Sequence, residues 1–406
     1  MGGDKGRIPR PGPRPDVIVV GGGVVGCSIA YRLSQAGRRV LLLEKRGIAA
    51  GASGRNGGLL GVGSSLLSEE GQAVYALTAA NLALVQQLPD ELGVDFELRQ
   101  PGTLNVAMTP DHAEHLKESV GQRRAAGLDV AWLDREEARS LMPALSDAIL
   151  GAEYMRNAGH LWPFALVNGF AAGAKRHGAT IRTGVGVERL LRAGDRVTGV
   201  VAGGEAIEAD DVVLATNAYT PELLPELPRG AIVPARGQIL VTQPVPPILP
   251  HPFGTNFDKE YGRQTASGQI LCGGFRRLDE DEGLGHYEER VSPTVLNGIA
   301  RCLTTLFPRL AGAKVVRAWA GIMGFTADGL PLIGRSGENP GLTVAAGFNG
   351  SGFSWAAIVG RIVADLLSGR EPGFELAPFA PDRFTLGGTA WNNPFTAGEQ
   401  SRAVVP

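Results

Sequence analysis

The sequence predicts an α/β protein, a doubly wound parallel sheet interleaved with an α+β domain built on an antiparallel sheet. Three observations carry that expectation. Residues 16–45, DVIVVGGGVVGCSIAYRLSQAGRRVLLLEK, read as one strand–turn–helix–strand unit. A second buried run, ADDVVLATN at 209–217, breaks into small polar residues far along the chain. Stretches of alternating strand pattern, from about Val94 and from Ile232 to Cys272, interrupt the first pattern twice.

In the first unit Val17 to Val20 suit a strand buried on both faces. Val25, Ile29, Leu33 and Ala36 fall at helical spacing, Gly37 stops that helix, and Val40 to Leu43 form a second buried strand ending on Glu44. Gly21 allows a tight turn, Gly23 lets a pyrophosphate approach the backbone, and Gly26 lets helix and strand pack closely, while the first helical N–H groups face the phosphates. Glu44 stands where an acid accepts ribose hydroxyls and disfavours a 2′-phosphate. Three spaced glycines alone would be a glycine-rich turn. With both strands, the helix and the acid in register, they make a Rossmann-like dinucleotide-binding unit.

The loop GIAAGASGRNGGLLGVG (47–63) lies where a bound dinucleotide would continue. Ser53, Arg55 and Asn56 offer donors to a pyrophosphate, and Gly57 and Gly58 let a flat ring lie against the backbone. Glu69 to Leu92 reads as a long helix with Val74, Leu77, Val85 and Leu88 on one side. Strands VDFELR and TLNVAM follow, then a helix opened by Thr109 and Pro110 that runs to about Gly127, and a short helix capped by Asp134. His112 and His115 lie three apart on the former with no third ligand nearby, so they are expected as solvated surface histidines and no metal site is expected. A helix opened by Pro163, a strand at 179–183 and a hairpin turning at Gly194-Asp195 lead back to the buried run at 209–217, the kind of strand end where doubly wound sheets place ligands. After the second strand-rich excursion, a helix starts at Ser292 and Pro293. A strand over Ala313 to Met323, FTADGLPLIG, the strand Leu342 to Ala346 and GFNGSGF then feed an apolar helix to Gly369, whose N-terminus is a second place to stabilise negative charge. Residues 1–15 are expected as a disordered tail and 373–406 as a surface-lying one.

A net charge of −2 gives no reason to expect nucleic acid, and no stretch approaches the ~18 continuous apolar residues of a membrane span. The partner expected is a small molecule. Cys27, Cys272 and Cys302 are far apart and include no CxxC pair, so neither a disulfide framework nor a zinc site is indicated, and a cytoplasmic location fits.

The motifs VIVVGGGVVG, LLLEK, GASGRNGG, VVLATNAYT, RAWAGIMGFTADGLPLIG and AAGFNGSGF, in this order, resemble the flavin-dependent amine and amino-acid oxidoreductases of the D-amino-acid oxidase superfamily, which contains glycine oxidase and monomeric sarcosine oxidase. The resemblance runs from about Asp16 to Phe384 and implies FAD. It makes 16–93, 146–225 and 313–372 the FAD-binding domain, and 94–145 with 226–312 the substrate domain. It places adenosine on Gly21, Gly23, Gly26, Glu44 and Lys45, pyrophosphate near Ser53, and isoalloxazine beside Gly57, Gly58 and the turn Gly350, Ser351, Gly352 and Phe353, with Val187, Thr216 and Gly321 also along the cofactor. A helix N-terminus after Gly352 would stabilise charge on the reduced flavin. The implied reaction oxidises a C–N bond of a primary or secondary amine, an amino acid or an N-substituted glycine such as sarcosine or glycine. The α-hydride passes to flavin N5 and an imine is left to hydrolyse.

Three departures from the resemblance shape the expectations. No cysteine stands in Arg317 to Gly321, where sarcosine oxidases attach their flavin, so the FAD is expected to be non-covalent. Cys272 stands at the position of a lysine that assists oxygen, which leaves dioxygen or another electron acceptor open. Met323 replaces the arginine, and Ser354 the lysine, that hold the substrate carboxylate in relatives. Candidate replacement anchors are Arg55, Arg263 and Arg317; Tyr261 or His160 could orient an amine, and Trp319 and Phe353 could wall a pocket. Two other functions share the fold: a hydroxy-acid or polyol dehydrogenase, and the flavin subunit of a hetero-oligomeric amine dehydrogenase. Oligomeric state is not legible.

Overall fold

The structure, a computed structural model, describes residues 14–62, 68–255 and 260–384. Residues 1–13 of the expected N-terminal tail and 385–406 of the expected C-terminal tail lie outside the described residues. Four branched residues, Val17–Val20, form β1, buried on both faces. Helix α1 (Val24–Gln35) follows, buried along most of its length, and β2 (Val40–Glu44) returns beside β1. The six-stranded sheet runs 332–335, 342–346, 211–214, β1, β2, 180–183 and is parallel except for its first strand. Helices α1, Glu69–Leu92, Pro163–Arg176 and Ala356–Leu367 cover one face. The three-stranded sheet 187–193, 196–202 and 205–208 covers the other, with Leu190, Val197 and Val200 against Ile18, Val20 and Leu41. Each fully buried Val or Leu in these layers contributes roughly 1.5–3 kcal/mol.

The second sheet has eight strands in the order 315–326, 232–244, 269–273, 261–264, 253–254, 103–107, 151–155, 130–134. Alternation along Ile232–Pro244 gives it two apolar faces. Leu240 packs with Phe253, Phe307 and the helix Pro293–Leu306, while Ile239 and Val241 pack on the opposite side with Leu271, Tyr261 and Trp319.

Several expectations are corrected. Residues 94–99 form no strand: Asp95 Oδ1 accepts from Glu97 N at 2.7 Å and Glu97 sits at φ +53°, so a side-chain-closed turn displaces the ladder and only Arg99 bridges to His160. Gly151–Met155 lies between 103–107 and 130–134 in the eight-stranded sheet, not on the dinucleotide side. Val315–Thr326 likewise pairs along Ile232–Pro244, from Ile232↔Thr326 to Thr242↔Val315, so its place is in the antiparallel sheet. Residues 374–384 are not a surface-lying tail, because Phe379 is buried against Trp355 at 5.8 Å between ring centroids. His112 is buried, and burial with His115 nearby pushes its pKa down to about 3, so only His115 is a surface histidine. Among the described residues no cluster of His, Cys, Asp and Glu could hold a metal ion, and no helix is long and apolar enough to cross a membrane.

Candidate active site

A cavity of about 680 Å³ lies between the two sheets, lined at one end by the C-terminal ends of β1 and β2 and at the other by 237–239, 321–325 and 348–353. The C-terminal edge of a parallel sheet, at the point where strand order reverses, is where such folds receive ligands.

The outer end is built from backbone. Gly21 has φ +112°, and a Cβ there would lie 2.6 Å from Ala215 O; a Cβ at Gly26 would lie 2.0 Å from Gly21 O. Any side chain at either position would force β1, α1 and 211–215 apart. Gly23 is the N-cap of α1, and the nearest atom to a Cβ there is Ser53 Oγ at 3.1 Å. Ser53 Oγ accepts from Val24 N at 2.9 Å, so this hydroxyl closes the start of α1. Glu44 accepts from Gly22 N and Arg46 N, each at 2.7 Å, which fixes its carboxylate at the tip of β2. Lys45, Val187 and Thr216 line the same end, with Lys45 Nζ 3.4 Å from the centroid of the Tyr219 ring.

The loop behind β2 is a brace. Arg55 donates from Nε to Ala50 O at 3.1 Å and from Nη1 to Ala320 O at 2.7 Å, and pairs through Nη2 with Glu289 at 2.9 Å. Glu289 also holds Arg46 at 2.8 Å, so one carboxylate clasps β2, the loop and the segment before 293. Arg55 is therefore engaged as a brace and corrected as a substrate anchor. Asn56 is corrected as a pyrophosphate donor, since it gives its amide hydrogens to Ala52 O and Ser53 O and accepts from Gly58 N. Gly58 does not line the cavity; the space of its missing side chain is filled by Leu161 O at 2.2 Å. Gly57 does line it, but a Cβ there would meet Tyr261 Cε2 at 2.7 Å, so its bareness admits the tyrosine ring.

At the inner end Gly350 takes φ +80°, and a Cβ there would lie 3.3 Å from Met323 Sδ and 3.7 Å from Phe325 Cζ. The expected helix N-terminus after Gly352 is corrected. A short 3-10 turn spans Gly352–Ser354 and the helix begins at Ala356. Its first N–H groups, of Ala357 and Ile358, are taken by Asn81 Oδ1 at 2.9 and 3.2 Å. What opens on the cavity instead is the turn: among the described residues the N–H groups of Gly352 and Phe353 have no partner, while Ser351 Oγ is turned to Phe348 O. Two adjacent backbone donors fit an electron-rich edge of a flat ring. With the glycine cradle and acid at the far end, they fit FAD. None of the three cysteines lines the cavity, and all are buried free thiols.

The other candidates divide. Tyr261, Met323, Gly321 and Phe353 line the inner end, and burial pushes the Tyr261 phenol up, keeping it a neutral O–H. Arg263 lies outside the cavity and is corrected as an anchor: it donates to Gly57 O at 2.6 Å and Leu161 O at 3.2 Å, supporting the loop from behind. His160 is also outside; burial, then Arg263 and Arg99, push its pKa down to about 4. Arg317 is exposed, stacked 5.7 Å from the Trp319 ring centroid, and Trp319 Nε1 donates to Arg55 O instead of walling the pocket. The sequence reading missed Arg276, Gln238, Phe325, Tyr219 and Glu289. Arg276 is carried on a turn at 276–278 after left-handed Phe275 and is buried at the inner end. That turn is pinned by Asp279, which accepts from Arg236 Nε at 2.7 Å and Nη2 at 2.9 Å and from Gln238 Nε2 at 2.8 Å. Only the basic pair after Gly273-Gly274 hinted at it.

Comparison with known proteins agrees with this geometry. The chain is 30% identical to glycine oxidase from Geobacillus kaustophilus (strain HTA426), an alignment covering 91% of this chain and 97% of the relative. A crystal structure of glycine oxidase from Geobacillus kaustophilus superposes with a TM-score of 0.82 at 28% identity, covering 91% of this chain and 99% of that one. Sarcosine oxidase subunit beta from Arthrobacter sp is 30% identical, covering 93% of each chain. L-proline dehydrogenase from P. horikoshii superposes with a TM-score of 0.81 at 26% identity, covering 92% of this chain and 98% of the other. Residues 16–366, from the start of the glycine cradle through nearly all of the helix behind the second turn, match the family described as FAD dependent oxidoreductase, and the chain belongs to that family and is an FAD-dependent enzyme.

Proposed function

We propose that the enzyme oxidises the C–N bond of a primary or secondary amine, of the amino-acid or N-substituted glycine type. The observation that carries this reading is the chemistry of the inner wall. Among the described residues lining it, Gly237, Gln238, Ile239, Tyr261, Arg276, Ile322, Met323, Phe325 and 348–353, none is His, Asp or Glu. An alcohol needs a base for its hydroxyl proton as hydrogen leaves its carbon, whereas a neutral amine carries its own lone pair and needs none. The wall therefore favours the amine over the hydroxy-acid alternative. When bound, FAD supplies a two-electron acceptor at N5 for the substrate's α-hydrogen, which leaves an imine for water to hydrolyse. Met323, Phe325 and Ile322 exclude water beside that position, Tyr261 O–H orients the substrate, and the Gly352 and Phe353 N–H groups stabilise negative charge. The relatives are named for glycine, sarcosine and L-proline, which supports the same class.

Among the described residues lining the inner end none is a lysine, Lys45 being at the adenosine end, and Cys272 is a buried thiol whose pKa burial raises. With no such lysine among the described lining residues to stabilise superoxide, the preferred electron acceptor is one other than dioxygen. Three free thiols support a reducing compartment, the cytoplasm. The test is anaerobic mixing of the holoenzyme with glycine, sarcosine, L-proline and lactate, followed by air. The amino acids should bleach the flavin and yield ammonia, amine or the cyclic imine, with slow recolouring in air. Bleaching by lactate alone would refute the reading.

A further inference from the structure

We infer that Glu289 is the latch of a strap, residues 286–292, that reaches from the eight-stranded sheet across the outer end of the cavity and sets how fast FAD enters and leaves. The inference concerns the cofactor and holds whichever substrate the enzyme takes.

Residues 286–292 form neither helix nor strand. Both ends of the segment are pinned to one strand, Ile232–Pro244. Leu284 bridges to Ala235 and Gly285 N donates to Pro234 O at 2.9 Å, while Ser292 N donates to Gln238 Oε1 at 2.6 Å. Pins so close along one strand stand about 10–13 Å apart. The chain from Gly285 to Ser292, fully extended, would span about 23–25 Å. The strap is therefore bowed, and its middle can swing while both pins hold.

The bow is fastened at two places. Tyr287 Oη donates to Ala218 O at 3.0 Å, and its ring packs on that of Tyr219 with centroids 4.9 Å apart. Glu289 pairs with Arg46 at 2.8 Å and with Arg55 at 2.9 Å. Ala218, Tyr219, Arg46 and Arg55 all line the cavity, and they belong to separate segments: behind β2, in the 47–63 loop and after the strand 211–214. A segment fastened to all of these lies across the space between them. Glu289 itself is not a lining residue, so it closes the cavity without contributing a wall to it. The neighbouring charges stay on the sheet side, Glu288 with Arg236 at 3.8 Å and Arg290 with Glu280 at 3.0 Å. Among the described residues of the strap, Glu289 is the charge that crosses.

Removing that charge leaves the loop beneath it supported, because Arg55 keeps its bonds to Ala50 O and Ala320 O. One carboxylate shared by two partly exposed guanidinium groups holds at low ionic strength and is screened by salt. Opening such a latch lowers the barrier to passage in both directions, whereas losing a cofactor contact would speed release alone.

The test uses the full-length chain and flavin fluorescence, and needs no turnover. Release is followed as fluorescence recovered after dilution of the holoenzyme into excess ADP, which takes the adenosine end and prevents rebinding. Uptake is followed as quenching when protein stripped of flavin is mixed with FAD. Glu289→Gln should raise both rates by about 10-fold, the worth of a charged hydrogen bond, with the dissociation constant nearly unchanged. Glu289→Asp should fall between variant and parent. High sodium chloride should speed release from the parent and alter Glu289→Gln far less. Unchanged rates in Glu289→Gln would overturn the inference, and so would an equal salt response in parent and variant. Faster release with unaltered uptake and a weaker dissociation constant would overturn it too, since Glu289 would then support the bound cofactor without gating its passage.

Discussion

The two ends of the cavity are made in different ways. The outer end comes from one contiguous unit: Gly21, Gly23, Gly26 and Glu44 lie on β1, α1 and β2, and each acts through backbone spacing or a bond to a near neighbour. The inner end is assembled from five separated segments, at 237–239, 261, 274–276, 321–325 and 348–353, and acts through side chains whose positions depend on two sheets meeting. A ligand half common to many enzymes can be held by local backbone, which is insensitive to most substitutions. The half that selects a substrate is held by long-range packing.

That contrast can be broken from either side, and the largest effect is expected at the inner end. Asp279→Ala leaves the Arg236 guanidinium, 1% exposed, without the carboxylate that holds it; it should destabilise the protein by about 3–5 kcal/mol in denaturant unfolding. The folded fraction should still bind ADP, because the outer end shares no residue with that turn. Loss of ADP binding in the folded fraction would mean the two ends are not independent. Next comes Gly26→Ala, whose methyl must displace Gly21 O from 2.0 Å; a cost of about 1–3 kcal/mol in the same measurement, with lower flavin content, is expected. A variant as stable as the parent would show that α1 can slide without disturbing the cradle. Smallest is Glu44→Ala, which removes the acceptor of Gly22 N and Arg46 N at the surface end of β2. Thermal unfolding should move little while FAD dissociates roughly 10-fold more readily, as loss of a charged hydrogen bond predicts. A flavin-to-protein absorbance ratio equal to the parent's after dilution and gel filtration would contradict it.

The same contrast explains what was legible in the sequence. The unit 16–45 was readable because strand, turn and helix periods sit next to one another, and the long helix Glu69–Leu92 because its apolar spacing is regular and Ser68 caps it. The strand at 151–155 was not legible, since GAEYM has neither a clean alternation nor a turn signal, and its membership is decided by pairing with 103–107 and 130–134. The pairing of 315–326 with 232–244 was hidden in the same way, because a long-range antiparallel register leaves no local mark. In the site, Arg55, Asn56 and Arg263 looked like ligand donors because polar groups beside glycines usually are. Their hydrogens are spent on Ala50, Ala52, Ser53, Gly57, Leu161 and Ala320 carbonyls, which only the fold brings near. Arg276 was missed for the converse reason: RRLDEDEG reads as a solvated charged loop, and the Asp279–Arg236 bond that buries its first arginine crosses 43 residues.

The most direct test of the account is the flavin carried by the purified chain. Acid precipitation should release close to one FAD per polypeptide into the supernatant and leave a colourless pellet, as a cavity with a glycine cradle at one end, backbone donors at the other and no cysteine among its described lining residues requires. Protein that is colourless, fails to take up FAD on reconstitution, or keeps its yellow colour in the pellet would contradict it.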